Sequence, residues 1–367
     1  MKKLLKKLLA YLNYISVSIF SKFHFRKQVK QFIKSIGSID NDKEFLEESK
    51  KFWKNYGQSI STNFHKWYSS CNGKKDVRYI PEDVFYDKIE RYYNNQELIL
   101  SYSDKAMYKR LFPNINQPET IALNMNGVYY DEDYNIITIE EVLNKCGKYN
   151  EIVIKPTLDT GGGKNVTFIN LKNTMEMKEK LKNDLSKFKK NFIIQEVLTQ
   201  HEELKKINPE SINTIRTISF FYKDNVIILD SILRMGINGS KVDNECSGGI
   251  NCRINDDGSL GDKAFDKKGE IYNSHPQGFI FSKGKVPNYS KIKSIIINEH
   301  KKLPYFKIIS WDFSIDENGN PVMIELNLSW QGLNFHQLNH GPLFGDLTKE
   351  VLDDVFSLKN KKCEELL

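Results

Sequence analysis

Residues 310–329 read SWDFSIDENGNPVMIELNLS, and this pattern decides the fold. Two alternating strands flank the pair Asn318-Gly319, which is typical of a tight β-hairpin turn. A two-residue loop there places Asp312 directly opposite Glu325 on one face of the hairpin, with Asn327 on the same face. Opposed carboxylates repel one another, and a cation between them relieves the repulsion. The pattern therefore predicts a Mg²⁺ site with oxygen ligands, and the alternative is the exposed polar face of an ordinary hairpin.

A glycine-rich loop follows a second candidate strand. Residues 151–164 read EIVIKPTLDTGGGK, so the strand ends near Lys155 and the glycines Gly161, Gly162 and Gly163 come after it. Glycines let backbone N–H groups approach phosphates closely, and a lysine can hold an α- or β-phosphate as a point charge. The GxxxxGK[ST] pattern is absent and a strand follows the loop, so this is not a P-loop. The alternative is a glycine-rich hairpin turn beside a solvated lysine.

A third segment, residues 192–198, reads FIIQEVL and predicts a buried strand that ends near Glu196 and Leu198. The end of such a strand can offer backbone groups to the edge of an adenine ring. Glu203 lies a few residues further on, where a carboxylate can accept hydrogen bonds from ribose hydroxyls. Taken alone, the segment predicts only a strand.

The bulk properties of the chain exclude some classes of function. Its 367 residues, 40% of them hydrophobic, are enough for two or three packed subdomains. The 54 Lys and Arg residues exceed the 47 Asp and Glu residues only modestly, which argues against a nucleic-acid partner. The five cysteines show no CxxC spacing, so a zinc site is not expected, and reduced thiols in a cytoplasmic protein are favoured.

Periodicity predicts a helical region over residues 1–95, followed by two α+β parts over 96–200 and 201–367. The strands predicted from alternation and turn signals are 151–155, 166–170, 192–196, 214–222, 226–234, 308–315 and 321–328. The helices predicted from capping and periodicity are 42–56, 81–93, 174–189, 289–301 and 345–358.

The first 22 residues combine basic charge with an apolar stripe. Lysines at positions 2, 3, 6 and 7 accompany aliphatic residues at helical spacing, namely Leu5, Leu8, Leu9, Leu12, Ile15 and Ile19. The apolar stretch is too short and interrupted to predict a transmembrane helix, and a small-x-small cleavage site is not evident. Two alternatives stay open: a peripheral helix on the anionic inner face of a membrane, or a helix that packs on its own domain.

The order of these motifs resembles the ATP-grasp superfamily. Three further motifs narrow the resemblance to the branch associated with sugar transfer and surface-polysaccharide gene clusters: Ser103-Asp104-Lys105, Asn213-Thr214-Ile215-Arg216, and DNECSGGI over 243–250. The resemblance covers about residues 95–350. It implies an α+β fold in which two subdomains clasp ATP, preceded by the largely helical first region.

The resemblance also implies roles for individual residues. Nucleotide contacts are implied for Lys105, Lys155, Gly161, Gly162, Gly163, Glu196, Leu198 and Glu203. For the ribose contact, His201 and Glu202 are the alternatives to Glu203. One or two Mg²⁺ ions would be held by Asp312, Glu325 and Asn327. Arg234 would stabilise the transferring γ-phosphoryl group, and Arg216 and Asn213 would orient the acyl substrate. Alternatively, Arg216 and Arg234 are structural ion-pair partners within strands.

The implied activity is a ligase that uses ATP to activate a carboxylate as an acyl phosphate, which an amine or related nucleophile then displaces. The branch implies a small-molecule or glycan substrate, such as a precursor of capsule or another cell-surface polysaccharide, modified with an amino acid or acyl group. Two alternatives remain: a kinase of a sugar or alcohol, and a noncatalytic nucleotide-binding scaffold for glycosyltransferases.

Overall fold

A computed structural model describes residues 2–158, 165–171, 175–240, 243 and 248–357, with the backbone alone for 2–17 and 175–177. The predicted phosphate loop, Gly161–Gly163, lies outside the described residues. The helices of the described part are α1 Lys2–Ser35, α2 Lys43–Lys54, α3 Asn63–Asn72, α4 Glu82–Val84, α5 Glu90–Tyr93, α6 Ile99–Tyr102, α7 Tyr108–Leu111, α8 Ile139–Cys146, α9 Met175–Phe188, α10 Glu202–Lys205, α11 Tyr289–His300, α12 Leu333–His340 and α13 Thr348–Phe356. None of these helices is both long enough and apolar enough to cross a bilayer.

The strands of the described residues form two antiparallel sheets. They are β1 Thr120–Met125, β2 Val128–Tyr130, β3 Glu151–Pro156, β4 Thr167–Asn170, β5 Phe192–Glu196, β6 Thr214–Tyr222, β7 Asn225–Met235, β8 Ile250–Ile254, β9 Leu260–Phe265, β10 Ile271–Tyr272, β11 Ile308–Ile315 and β12 Pro321–Asn327. The small sheet has the order β2-β1-β5-β3-β4, and the large sheet has the order β10-β9-β8-β7-β6-β11-β12. All seven strands predicted from the sequence are present, and the α+β prediction is confirmed.

The hairpin β11–β12 confirms the pairing of Asp312 with Glu325 but corrects the predicted turn. Asp316 N–H donates to the carbonyl of Asn320 at 2.9 Å, so the loop has three residues rather than two. The register then shifts by one residue between β11 and β12. A β-bulge at Ile324 supplies the extra residue, and beyond it Asp312 again lies opposite Glu325.

Each sheet carries an apolar face that is covered by helices. On the small sheet, Ile152 and Ile154 of β3 point towards α8 and α9, where Val142 and Leu181 are buried. On the large sheet, Trp311 of β11 belongs to the core that includes residues of α11. Because side chains alternate along a strand, the residues between these apolar positions point to the opposite faces of both sheets.

The first helices share a core with the far end of the large sheet. Phe25 and Val29 of α1 are buried with Trp67 of α3, and Phe220 of β6 belongs to the same cluster. Asn94, which follows α5, donates to the carbonyls of Ile308 and Leu328, both at 2.7 Å. The predicted helical region is therefore confirmed, and Asn94 ties it to the start of β11 and to the residue that follows β12. Its boundary at residue 95 stays a prediction.

Candidate functional site

A cleft that is partly open to solvent lies between the two sheets. Side chains alternate along strand β3, so Ile152 and Ile154 point into the core of the small sheet. Val153 and Lys155 point the other way and line the cleft. At one end the lining is apolar, and its members are Pro118, Val153, Val166, Phe168, Val197, Leu198, Ile212 and Ile324. The β-bulge explains why the consecutive residues Ile324 and Glu325 both line the cleft.

The other end of the cleft is charged, and two of its cations come from different parts of the chain. The backbone N–H of Lys105 donates to the carbonyl of Thr157 at 3.2 Å, just after β3, which holds Lys105 near Lys155. The ammonium of Lys105 lies 3.0 Å from Glu325 Oε2. Both predicted nucleotide lysines therefore line one cleft with the predicted metal ligand Glu325.

The two lysines have opposite pKa shifts. Burial disfavours the charge on Lys105, but the carboxylates of Glu325 and Asp312 outweigh burial and raise its pKa. Burial and the nearby charge of Lys105 lower the pKa of Lys155 to about 8, with Glu325 opposing the shift. Burial also opposes the charge on Glu325, yet the surrounding cations hold its pKa below the ordinary value. An added anion would therefore stabilise the protonated form of Lys155 more than that of Lys105, whose charge the carboxylates already stabilise.

Asp312 lies at the centre of an arginine cluster. Arg216 donates from Nε to Asp312 Oδ1 at 2.8 Å and from Nη2 to Oδ2 at 2.6 Å. Arg234 donates from Nη1 to Asp312 Oδ2 at 3.2 Å. Asp312 is 1% exposed. Both arginines are therefore ion-pair partners of Asp312, as the structural alternative predicted. Arg234 and Asp312 also line the cleft, and Arg216 lies behind them.

Asp243 is a site residue that sequence reasoning did not assign. Its carboxylate lines the cleft, and its Oδ2 lies 3.7 Å from Arg234 Nε. Burial raises the pKa of Asp243, while the charge of Arg234 opposes that shift. The sequence does mark this position, because Asp243 is the first residue of the DNECSGGI motif. The spacing between residues, however, does not relate Asp243 to Arg234 on β7.

The predicted metal ligands lie on adjacent strands of the large sheet. Asn327 follows Glu325 by two residues and so shares its strand face, and its Nδ2 is buried without a hydrogen-bond partner. No cluster of three or more His, Cys, Asp or Glu suited to a metal occurs in the described part of the chain. Mg²⁺ takes one or two carboxylates and completes its shell with phosphates and water, so side-chain oxygens such as those of Asp312, Glu325 and Asn327 are of the kind it binds.

Glu196 and Leu198 line the cleft, whereas four other predicted residues of the described part are not among its lining residues: Glu203, Asn213, Arg216 and Asn327. The Asn213 amide is fully buried and donates to the carbonyls of Leu204 at 2.8 Å and Asn208 at 2.9 Å. Glu203 is exposed on α10 and accepts from Lys206 at 2.6 Å. The substrate role of Asn213 and the ribose role of Glu203 stay predictions.

A second hollow adjoins the apolar end of the cleft and shares Glu196 and Leu198 with it. Glu119 precedes β1, and Glu317 lies in the hairpin turn, so both bring carboxylates to this hollow from distant parts of the chain. Burial, together with Glu119 and Glu317, raises the pKa of Glu196. Sequence reasoning missed both residues because neither belongs to a motif.

Comparisons with known proteins give the family. The family described as sugar-transfer associated ATP-grasp matches residues 85–351, and the chain belongs to this family. No curated protein matches the chain.

Solved structures with similar folds have low sequence identity to the chain. The biotin carboxylase domain of Hydrogenobacter thermophilus 2-oxoglutarate carboxylase, solved with MgADP and bicarbonate, is 14% identical, with 72% of this chain and 48% of that chain covered and a TM-score of 0.43. D-alanine–D-alanine ligase from Bacillus anthracis is 13% identical, with 72% and 69% covered and a TM-score of 0.39. The ATP-grasp ligase PsnB, solved with Mg and ADP, is 13% identical, with 72% and 61% covered and a TM-score of 0.39. The chain thus spans about half the length of the first of these proteins.

Proposed function

We propose that the protein is an ATP- and Mg²⁺-dependent ligase that activates a carboxylate as an acyl phosphate and joins the acyl group to an amine or related nucleophile. The observation that carries the proposal is one cleft with an apolar end and a charged end. Val153 and Phe168 offer flat apolar surface suited to a purine, while Lys155 and Lys105 offer charge suited to phosphates.

The ion fits the residues at the charged end. Glu325 and Asn327 would hold Mg²⁺ from β12, with Asp312 contributing from β11 as one of its arginine contacts gives way. When bound, Mg²⁺ would neutralise charge on the transferring phosphoryl oxygens. Asn327 would offer Oδ1 to the ion, while its amide nitrogen, which is buried without a hydrogen-bond partner, would donate to a phosphate oxygen of the bound nucleotide.

In the proposed reaction, a carboxylate oxygen of the donor acid attacks the γ-phosphorus of ATP. The new O–P bond forms as the bond to the β-phosphate oxygen breaks, and ADP leaves. An amine then attacks the acyl carbon, phosphate departs with the C–O electron pair, and the amine proton passes to solvent. Lys155, Arg216 and Arg234 offset the negative charge that develops during the transfer.

The family description, which associates the family with sugar transfer, supports a sugar-related substrate. We place a saccharide or a precursor of a cell-surface polysaccharide on the acceptor side and an amino acid or other acyl donor on the carboxylate side. The acceptor is a small molecule or a glycan rather than a nucleic acid, and the reaction is expected on the cytoplasmic side of the membrane.

Trapping with hydroxylamine tests the proposed chemistry. The protein is incubated with ATP, Mg²⁺, hydroxylamine and a panel of amino acids and other carboxylic acids, and hydroxamates are detected by mass spectrometry. An acyl phosphate intermediate gives the hydroxamate of one acid together with an equal amount of ADP. A stable phosphorylated sugar would instead indicate a kinase, and nucleotide binding without turnover would indicate a scaffold; either result would overturn the ligase proposal.

Two lysine variants provide the matched comparison for this assay. Lys155→Met removes a charge from the cleft and should abolish hydroxamate formation. Lys109→Met removes an exposed charge that pairs with Asp133 outside the cleft, and it should leave turnover unchanged. Equal loss in both variants would mean that the cleft is not the site of the reaction.

A further inference from the structure

Helix α1 has one apolar face that packs on the protein. Phe25, Val29 and Phe32 are buried on this face against the other helices of the first region. Polar contacts fix the same face, since Ser18 donates to Asp87 at 2.7 Å and Arg26 Nε donates to Asp83 at 2.7 Å. The rotation of α1 about its own axis is therefore set by packing.

A second apolar face of α1 points away from the protein. Ile19, Phe20 and Phe23 are 63%, 69% and 68% exposed. Ile19 and Phe23 continue the aliphatic pattern at Leu12 and Ile15, because these four residues are three or four positions apart, and Phe20 lies beside Ile19 and three residues before Phe23. Large apolar side chains exposed together are uncommon on a monomeric protein and indicate an interaction surface.

Trp330 belongs to the same surface although it is distant in sequence. It is 63% exposed, and with Phe20 and His24 of α1 it lines a shallow groove. Its ring centroid lies 4.8 Å from that of Tyr86 and 6.0 Å from that of Phe25. Tryptophan at the edge of an apolar surface is typical of the interfacial region of a bilayer.

The charge of α1 indicates which kind of partner fits this surface. The helix contains nine Lys and Arg residues and no Asp or Glu. Lys27, Lys30 and Lys34 are exposed on its second half, and four further lysines occupy its first two turns. A basic helix with an exposed apolar stripe suits a surface that presents both anionic headgroups and hydrocarbon.

We propose that Ile19, Phe20, Phe23 and Trp330 form a docking surface for an anionic lipid bilayer, with α1 lying in the plane of the interface. The inference does not depend on the proposed reaction, because none of these residues lines the cleft between the sheets. Trp330 nevertheless follows β12 closely, and a Cβ at Gly332 would lie 3.4 Å from Arg216 Nη1. Docking would therefore bring the charged end of the cleft near the membrane, where a lipid-anchored substrate is within reach.

Vesicle sedimentation tests the surface with the full chain. Vesicles of phosphatidylcholine with about 30% phosphatidylglycerol should bind the wild type, and vesicles of phosphatidylcholine alone should bind it much more weakly. The triple variant Ile19→Ser, Phe20→Ser, Phe23→Ser should lower the partition coefficient about tenfold or more, because it removes the inserted apolar area. The matched control replaces exposed apolar residues elsewhere, Leu100→Ser, Ile136→Ser and Ile280→Ser, and should bind like the wild type.

Intrinsic fluorescence tests Trp330 directly. The other three tryptophans, Trp53, Trp67 and Trp311, are fully buried, so a blue shift on adding anionic vesicles should come from Trp330. Trp330→Phe should remove the shift while the protein still sediments with the vesicles.

Several results would overturn the inference. They are a wild type that stays in the supernatant, a triple variant that binds as well as the wild type, or a blue shift that persists in Trp330→Phe. A stable dimer that the triple variant converts to a monomer, without vesicle binding by either, would assign the surface to a second copy of the chain. Nucleotide affinity in solution should be the same in the triple variant and the wild type, so this test and that of the proposed reaction fail separately.

Discussion

Lys155 should make nucleotide binding depend on pH in a range where most lysines do not titrate. Its pKa is lowered to about 8 by burial and by the charge of Lys105. Bound phosphates add negative charge beside the ammonium and favour its protonated form. Above pH 8 the free protein must therefore take up a proton to bind the nucleotide, so the dissociation constant should rise with pH.

The size of the effect follows from the pKa of Lys155. With a pKa of about 8, Lys155 is about nine-tenths protonated at pH 7 and about one-tenth protonated at pH 9. If the complex keeps the ammonium, Kd should increase about tenfold over this range, which equals about 1.4 kcal/mol. The terminal phosphate of the nucleotide, with a pKa of about 6, stays ionised throughout.

Isothermal titration calorimetry with ATP and Mg²⁺ measures both the affinity and the proton uptake. At pH 8, titrations in two buffers with different ionisation enthalpies should show uptake of about half a proton per nucleotide. Lys155→Arg keeps a charge at every pH used, so its Kd should be nearly constant from pH 7 to pH 9. A wild-type Kd that changes less than twofold, or a tenfold change that persists in Lys155→Arg, would refute the role of this lysine.

Three further predictions concern stability and the transfer step. Asp312→Asn should lower the free energy of unfolding by about 3–5 kcal/mol, measured by urea denaturation, because Arg216 and Arg234 each lose a buried ion pair with Asp312. Gly332→Ala should slow turnover more than Gly278→Ala: both glycines have positive φ, of +81° and +94°, but only the first lies beside a site arginine. Acidification from pH 6.5 to about 4 should destabilise the protein by about 3 kcal/mol for each of His65 and His300, since burial lowers their pKa to about 4 and the unfolded chain takes up protons first. Urea denaturation across this pH range should show that His65→Gln and His300→Gln each lose about 3 kcal/mol less unfolding free energy on acidification than the wild type does.

The sequence by itself determined the elements with strong local patterns. The alternation around Asn318-Gly319 predicted the hairpin and placed Asp312 opposite Glu325. The predicted pairing is correct although the predicted two-residue turn is wrong. The longer loop and the bulge at Ile324 shift the register in opposite directions, so their effects cancel at Asp312 and Glu325. The sequence likewise predicted strand β3 with Lys155 near its end, because the alternation of apolar and polar residues that indicates a strand is visible in neighbouring residues.

Tertiary structure alone decided which charges meet. Arg216 and Asp312 are 96 residues apart in the chain, and no local pattern relates them. Strands β8 to β10 and helix α12 were not predicted from the sequence. Turn chemistry and periodicity act over a few residues, whereas strand order and the covering of each face depend on packing between distant segments, which a single sequence does not display.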